Sequence, residues 1–180
     1  MQTTGFKHEQ RGVAWGMGSA ALLAIVSLSA ALLLSPADAD QLLPLTDRLH
    51  LALTCDLFVV VWLAIAIGNV ARLRFFSEQD IAGSALTEQT QRVRIASAIL
   101  QNTLEQVALA VPVHLALACL VEGFSYVYPV LAGLFCLGRA LFWVGYEHGA
   151  RARAFGFALT FYPSLAALFI AICASVGLLF

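Results

Sequence analysis

The chain has 180 residues, of which 61% are hydrophobic and only 12% are charged, and its formal net charge is −1. An ordinary soluble domain carries about twice this share of charged residues and needs them to cover its surface. The composition therefore argues against a soluble fold and gives no basis for nucleic-acid binding. It predicts an all-α integral membrane protein whose apolar side chains face lipid.

Five apolar runs follow one another along the chain, and each reaches the ~20 residues that span a hydrocarbon core of ~30 Å. Because lipid offers the backbone no hydrogen-bond partner, each run is predicted to be a transmembrane helix. The runs cover residues 13–34, 49–73, 95–121, 126–146 and 155–180. Pro112 and Pro163 lie inside the third and fifth runs and are expected to kink them.

The first run has an alternative interpretation as a cleaved signal peptide. Lys7 and Arg11 precede it, and Ser-Pro-Ala-Asp-Ala follows it. Its apolar part is longer than the ~7–15 residues of a typical signal-peptide core, which favours a retained helix. Gly12 and Gly16 have a small-xxx-small spacing, as do Gly145 and Gly149, but that spacing is common by chance. We interpret all four as small residues without a dedicated partner.

The positions of the basic residues predict the orientation in the membrane. With five helices, eight of them fall on one side: Lys7, Arg11, Arg72, Arg74, Arg92, Arg94, Arg151 and Arg153. The links on the opposite side contain only Arg48 together with three aspartates. By the positive-inside rule, the N-terminus and the arginine-rich links are cytoplasmic and the C-terminus is outside.

Polar side chains inside two successive helices indicate a site, because charge within a membrane helix is costly and is usually functional. Asn102 and Glu105 lie on one face of the third helix, and Arg139 and Tyr146 lie two turns apart on the fourth. Glu105 is about 15 Å, and Arg139 about 12 Å, from the cytoplasmic ends of their runs. A pocket there suits a small anionic ligand beside a lipid-soluble one, with Asn69 as a further candidate. A Glu105–Arg139 ion pair that only fixes helix packing remains the alternative.

The other polar residues are interpreted as structural. Asp56 is placed near the outer end of the second helix, beside Arg48, and His50 and His114 are expected to be packing residues. The cysteines do not have the spacing of a metal site, so no metal is predicted, and they are interpreted as small apolar side chains. They are Cys55, Cys119, Cys136 and Cys173.

At the polar positions the sequence resembles the MAPEG family, the membrane-associated proteins in eicosanoid and glutathione metabolism. The third helix reads LQNTLEQ, with the family's Asn-x-x-Glu spacing, and the fourth helix and its exit read GRALFWVGYEHGARARAFGF. The resemblance implies a MAPEG-like four-helix membrane domain over residues 41–180. Residues 1–40 would then be an extra N-terminal transmembrane helix and its linker.

The resemblance also implies a homotrimer that binds glutathione as co-substrate between neighbouring subunits, near the cytoplasmic face. Carried over by position, Asn102, Glu105, Arg139 and Tyr146 would bind glutathione, and Arg153 would be catalytic. A guanidinium near the sulfur favours the nucleophilic thiolate over a thiol whose ordinary pKa is ~8.5. The chain departs from many family members at Ala98, where an arginine is common, at Phe142, where some have an aromatic hydroxyl, and in its first helix.

The leading hypothesis is a membrane-bound glutathione transferase or peroxidase that acts on lipophilic electrophiles or hydroperoxides from the bilayer. The alternative is a non-catalytic relative that binds a ligand or partner without turnover; a transporter is disfavoured because no half-sequence repeats. The orientation of Arg153 separates the first two, since an arginine that only caps its link would leave catalysis unsupported. One lysine against nine arginines predicts a bacterial source and hence a plasma membrane.

Overall fold

The protein is an all-helical membrane bundle. Its computed structural model describes residues 2–35, 43–83 and 88–177, and these ranges contain five long helices, one short 3-10 helix and no strand. All five long helices have the length and hydropathy of membrane spans, which confirms the predicted fold class. The long helices are α1 (Gln2–Leu34), α2 (Leu45–Phe75), α3 (Gln91–Leu120), α4 (Val127–Gly145) and α5 (Ala150–Ser175), and the 3-10 turn is Tyr146–His148.

Several helices extend beyond the apolar runs that predicted them. A run marks the part of a helix in contact with lipid, whereas the helix itself continues to a residue that caps or breaks it. At the start of α3 the Thr90 hydroxyl accepts a hydrogen bond from the Val93 N–H, so the helix begins at Gln91. Gly149, at φ 97°, separates the 3-10 turn from α5. The predicted boundary between residues 40 and 41 lies outside the described residues.

Four of the helices close into a ring, and the fifth lies outside it. Around the ring, α2 packs on α3, α3 on α5, α5 on α4, and α4 on α2. The α1 helix packs mainly along α5 and touches α4 as well. One cluster of buried side chains lies toward the end of the bundle that contains the link from α3 to α4. It includes Leu117, Tyr128 and Leu131.

The α1–α5 contact is close because two glycines lie in it. A Cβ atom at Gly16 would lie 3.3 Å from the Phe155 nitrogen, and one at Gly12 would lie 2.6 Å from Nε of Arg151. The interpretation of Gly12 and Gly16 as residues without a dedicated partner is therefore wrong, and it is wrong for Gly145 too, where a Cβ atom would lie 3.0 Å from the Arg153 nitrogen of α5. Gly12 and Gly16 lie in the α1–α5 interface, where small residues let two membrane helices approach closely.

The link between α2 and α3 is organised by one buried carboxylate. Asp80 accepts hydrogen bonds from the Ser77 hydroxyl at 2.6 Å, the Thr90 hydroxyl at 2.8 Å and the Thr90 N–H at 2.9 Å. The Ser77 hydrogen bond, followed by those from Thr90, holds the pKa of Asp80 below its ordinary value of 3.8. The carboxylate thereby ties the end of α2 to the start of α3.

Candidate functional site

The site begins with a close approach of α4 and α5. A Cβ atom at Gly138 would lie 2.6 Å from Cγ2 of Thr160 and 2.9 Å from the carbonyl oxygen of Gly156. With no side chain at Gly138 or Gly156, the two helix backbones come nearly into contact. This approach brings the next residue of α4, Arg139, against the face of α5 that carries Thr160.

Arg139 is the largest fully buried side chain of the described residues, with 0% of its surface exposed. Its Nη1 donates to Oδ1 of Asn102 at 2.8 Å, and its Nη2 donates to the Thr160 hydroxyl at 2.7 Å. The guanidinium carbon also lies 4.5 Å from the centre of the Phe142 ring. One arginine thus joins α3, α4 and α5, with hydrogen bonds and a cation–π contact compensating for the loss of water.

A cavity of about 490 Å³ lies beside this arginine, between α1, α3, α4 and α5. Four residues predicted for the site line it: Asn102, Glu105, Tyr146 and Arg153. Arg139 does not line the cavity, but its Nη1 donates a hydrogen bond to the Asn102 amide oxygen. The structure therefore brings the predicted residues together, with Arg139 supporting Asn102. The whole lining is Val13, Met17, Ala98, Gln101, Asn102, Glu105, Phe142, Tyr146, Ala150, Arg153, Ala154 and Phe157.

The ion pair offered as an alternative, Glu105 with Arg139, does not form. Glu105 accepts from Nε2 of Gln101 at 3.0 Å, one turn back on α3, and both side chains are exposed in the single chain. The Arg139 side chain instead extends toward α5, where it donates a hydrogen bond to the Thr160 hydroxyl. Among the described residues no cation forms an ion pair with Glu105, so its carboxylate lines the cavity without a neutralising partner there.

Arg153 faces the cavity and does not only cap its link. Its guanidinium carbon lies 4.6 Å from the centre of the Tyr146 ring, in a cation–π contact across the turn between α4 and α5. Tyr146 in turn meets the Phe142 ring edge-on, with the ring centroids 5.4 Å apart. Ala98 and Phe142, where the chain departs from the family pattern, both lie on the cavity wall.

Asn69 does not join this cavity. Its Oδ1 accepts a hydrogen bond from Nη2 of Arg72 at 3.1 Å, and Arg72 lines a different cavity. That second cavity has a volume of about 950 Å³ and is lined by Arg72, Arg92 and Glu147 among others. It is larger, but it contains none of the predicted glutathione ligands, so we place the candidate site in the smaller cavity.

Two polar pairs lie toward the opposite end of the bundle, and sequence reasoning missed both. Asp56 pairs with His114, with Oδ1 and Nδ1 2.6 Å apart and both side chains buried. Asp56 thus pairs with His114 and not with Arg48. Arg48 pairs with Glu122 at 3.0 Å and donates to the carbonyl oxygen of Ala118. The similar depth of Asp56 and His114 in α2 and α3 was the available signal for their pairing.

Fold and site together define an integral membrane helical protein with a polar cavity near one end of its bundle. The sequence profile of the MAPEG family matches residues 49–173, which include most of α2 and all of α3 and α4. The chain belongs to the MAPEG family. The matched residues begin within α2, so α1 lies before them in the chain.

The chain is similar to two curated relatives that share one name. Transmembrane protein 79 of Bos taurus is 28% identical over 161 residues, which cover 82% of this chain and 40% of the relative. Transmembrane protein 79 of Mus musculus is 27% identical over 164 residues, which cover 84% of this chain and 41% of the relative. The chain thus spans about two fifths of the length of these relatives. No solved structure matches it.

Proposed function

We propose that this protein is a membrane-bound, glutathione-dependent transferase or peroxidase that acts on lipophilic electrophiles or hydroperoxides. The observation that carries the proposal is the position of Arg153. It lines a cavity that also presents Asn102 and Glu105, and its guanidinium lies against Tyr146. A cation fixed beside a bound thiol favours the ionised form of the thiol at neutral pH.

Glutathione offers two carboxylates, one ammonium group, two amides and a thiol, and the cavity has groups that are complementary to the ammonium group, the amides and the thiol. Glu105 suits the ammonium group, since no cation of the described chain neutralises it. The amides of Gln101 and Asn102 suit backbone-like groups of the tripeptide, and Arg153 suits the thiolate. Arg139 contributes by fixing the orientation of Asn102, because its own Nη atoms already have partners.

The chemistry follows from the thiolate. With an electrophile, the sulfur forms a bond to carbon while the leaving group departs with its electron pair. With a hydroperoxide, two glutathione molecules reduce the O–O bond. The products are an alcohol and water, and the two glutathione molecules are oxidised to the disulfide. Arg153 stabilises the thiolate before either step, and the apolar residues Met17, Phe142 and Phe157 accommodate a lipophilic partner.

We also propose that the working unit is a homotrimer with glutathione between neighbouring subunits. Gln101 and Glu105 are exposed in the single chain, although they lie inside a membrane-spanning helix. Polar groups at such positions normally face protein or a water-filled cavity and not lipid. A neighbouring copy over this face of α3 would cover both side chains and complete the cavity wall.

For the orientation, we propose that the N-terminus and the arginine-rich links are cytoplasmic. Lys7 and Arg11 of α1, together with Arg151 and Arg153 of α5, lie at the same end of the bundle as the cavity. Glutathione would then enter from the cytoplasm. The preference for arginine over lysine supports a bacterial plasma membrane.

One observation favours a second candidate function, a non-catalytic protein that binds its ligand without turnover. Asn102 and Arg139 form a hydrogen bond with each other at 2.8 Å, and Arg139 is completely buried. Two of the predicted glutathione ligands therefore already satisfy one another. In this case the site would bind a ligand through Glu105, Tyr146 and Arg153, and no thiolate would form.

The test uses the purified full chain reconstituted in lipid vesicles, with glutathione and either a lipophilic electrophile or a lipid hydroperoxide. Mass spectrometry would identify a thioether in the first case and an alcohol in the second. Arg153→Ala is expected to abolish product formation. Arg151→Ala is the matched control, because it removes the same charge from the same turn at a residue that does not line the cavity. Binding of glutathione without either product would favour the non-catalytic function, and absence of binding would refute both.

A further inference from the structure

The start of α5, which carries Arg153, is weakly held by its own hydrogen bonds. The helix follows Gly149, at φ 97°, and no side chain of the described residues caps its first turn. The Arg153 N–H donates to the Gly149 carbonyl oxygen at 3.4 Å, longer than the ~2.9–3.0 Å that is usual for such a bond. A helix start without a capping side chain loses a common source of stability. The position of Arg153 therefore depends on the neighbouring helices.

One of these neighbours is the end of α4. A Cβ atom at Gly145 would lie 2.5 Å from the Ala152 carbonyl oxygen and 3.0 Å from the Arg153 nitrogen. The last residue of α4 thus packs against the backbone of the first turn of α5. This contact fixes the turn on the side of α4 only, so the opposite movement, away from α4, must be limited by another helix.

The other neighbour is α1, which contacts the start of α5 at two successive turns. Gly12 lies against the Arg151 side chain, and a Cβ atom at Gly16 would lie 3.4 Å from Cβ of Ala154 and 3.3 Å from the Phe155 nitrogen. The three residues of α5 have the spacing i, i+3 and i+4, so they lie on one face of that helix. The α1 helix therefore packs along one face of the start of α5.

The same stretch of α1 also lies beside the cavity. Val13 and Met17 line it together with Arg153, whose guanidinium carbon is 4.6 Å from the centre of the Tyr146 ring. The family match covers residues 49–173, so these contacts come from a part of the chain that precedes the match. The position of the proposed thiolate-stabilising arginine thus involves a helix outside the matched residues.

We propose that α1 is a positioning element of the site, which holds the start of α5 so that the Arg153 guanidinium stays at the cavity. Gly16 is the residue on which this depends most. The nearest atom to its Cβ position is a backbone nitrogen, which moves only with the helix, whereas Gly12 faces a flexible side chain. The effect on the thiolate rests on the proposed function, but the support of α5 by α1 rests on these contacts alone.

Three variants of α1 test the proposal. Gly16→Leu places a side chain against the backbone of Phe155 and separates α1 from α5. Gly18→Leu is the matched control, because it is the same substitution on the same helix and a Cβ atom there would have no neighbour within 4 Å. Gly16→Ala is the milder change, since it adds only the Cβ atom at 3.3–3.4 Å from α5 and requires a small shift.

The first measurement is hydrogen exchange of the full chain in lipid nanodiscs, without glutathione. In Gly16→Leu the protection of the amides of residues 153–155 is expected to fall about tenfold, equivalent to about 1.4 kcal/mol of local stability. Gly18→Leu should match the wild type, and Gly16→Ala should show a smaller decrease at the same amides. If Gly16→Leu gives no folded protein, the decrease in Gly16→Ala decides. Wild-type protection in both Gly16 variants would overturn the proposal.

The second measurement is turnover of glutathione with chlorodinitrobenzene. In Gly16→Leu we expect kcat to fall about tenfold, because a small displacement of Arg153 weakens its effect on the sulfur, while KM for glutathione changes less than about twofold. A raised KM with an unchanged kcat would overturn the proposal, since α1 would then act in binding and not on Arg153. Absence of product from the wild type would refute the proposed function alone, and hydrogen exchange would still decide whether α1 holds α5.

Discussion

The hydrogen bond between Arg139 and Thr160 should be worth more than an ordinary contact between membrane helices. Thr160→Val keeps the shape of the side chain but removes the hydroxyl that accepts from Nη2 of the fully buried Arg139 at 2.7 Å. Neutral hydrogen bonds between membrane helices average about 0.6 kcal/mol. A bond from a charged donor is worth about 1.5–3 kcal/mol, and leaving that donor unsatisfied adds to the cost. We therefore expect Thr160→Val to lower the free energy of unfolding by about 2 kcal/mol.

The chain offers a matched control for this measurement. Thr103 is also fully buried, but its hydroxyl donates only to the carbonyl oxygen of Ile99 in its own helix. Thr160 makes an equivalent intrahelical bond to Phe157, so the difference between Thr160→Val and Thr103→Val isolates the bond to Arg139. Unfolding would be followed by circular dichroism during titration from a mild detergent into dodecyl sulfate. Equal losses of stability in the two variants would refute the reasoning.

Three further predictions concern other parts of the molecule. His114→Leu should cost about 3–5 kcal/mol of stability because it leaves the buried carboxylate of Asp56 unpaired, and adding Asp56→Leu should restore much of it; a double variant no more stable than the single one would contradict this. Gly138→Leu should prevent α4 from packing on α5 and lower the yield of folded protein, whereas Gly133→Leu should not; equal yields would count against the close contact. Because hydrogen bonds lower the pKa of Asp80 below 3.8, its stabilisation of the link is complete above that pH and is lost as the pH falls through the lowered value. The protection of the link's amides against hydrogen exchange, measured relative to the intrinsic rate at each pH, should therefore fall on acidification. An Asp80→Asn variant that responded identically would exclude this carboxylate as the cause.

The sequence was sufficient for the fold because lipid constrains a chain more strictly than water does. In lipid, an apolar run can satisfy its own backbone hydrogen bonds by forming a helix, and the five predicted helices are all present. The depth argument also placed Asn102 and the Arg139 side chain near one another, and they form a hydrogen bond. Depth along a helix follows from counting residues, so it can be predicted without knowledge of the packing.

What the sequence did not reveal depends on which helix faces which. Besides Asn102, Arg139 hydrogen-bonds to Thr160 and not to Glu105, because Gly138 and Gly156 allow α4 to pack closely on α5. Helical periodicity gives no information about that choice, since either neighbour lies within reach of an arginine side chain. In the same way, the pair of Asp56 with His114 depends on the rotation of α2 against α3.

The contribution of α1 to the site was equally hidden. Val13 and Met17 have no polar group that would mark them as site residues, and they reach the cavity only because Gly12 and Gly16 allow α1 to lie close on α5. The Gly-xxx-Gly spacing is common by chance in sequences, but in this protein its two glycines form the contact that positions α1.

The most direct test of the proposed chemistry is a pH titration of glutathione bound to the detergent-purified protein, followed by the ultraviolet absorbance of the thiolate. If Arg153 stabilises the thiolate, the bound thiol should titrate well below its ordinary pKa of ~8.5 in the wild type and in Arg151→Ala, and return toward it in Arg153→Ala. A bound thiol that titrates at its ordinary pKa in all three proteins would contradict a role for Arg153 in activating glutathione.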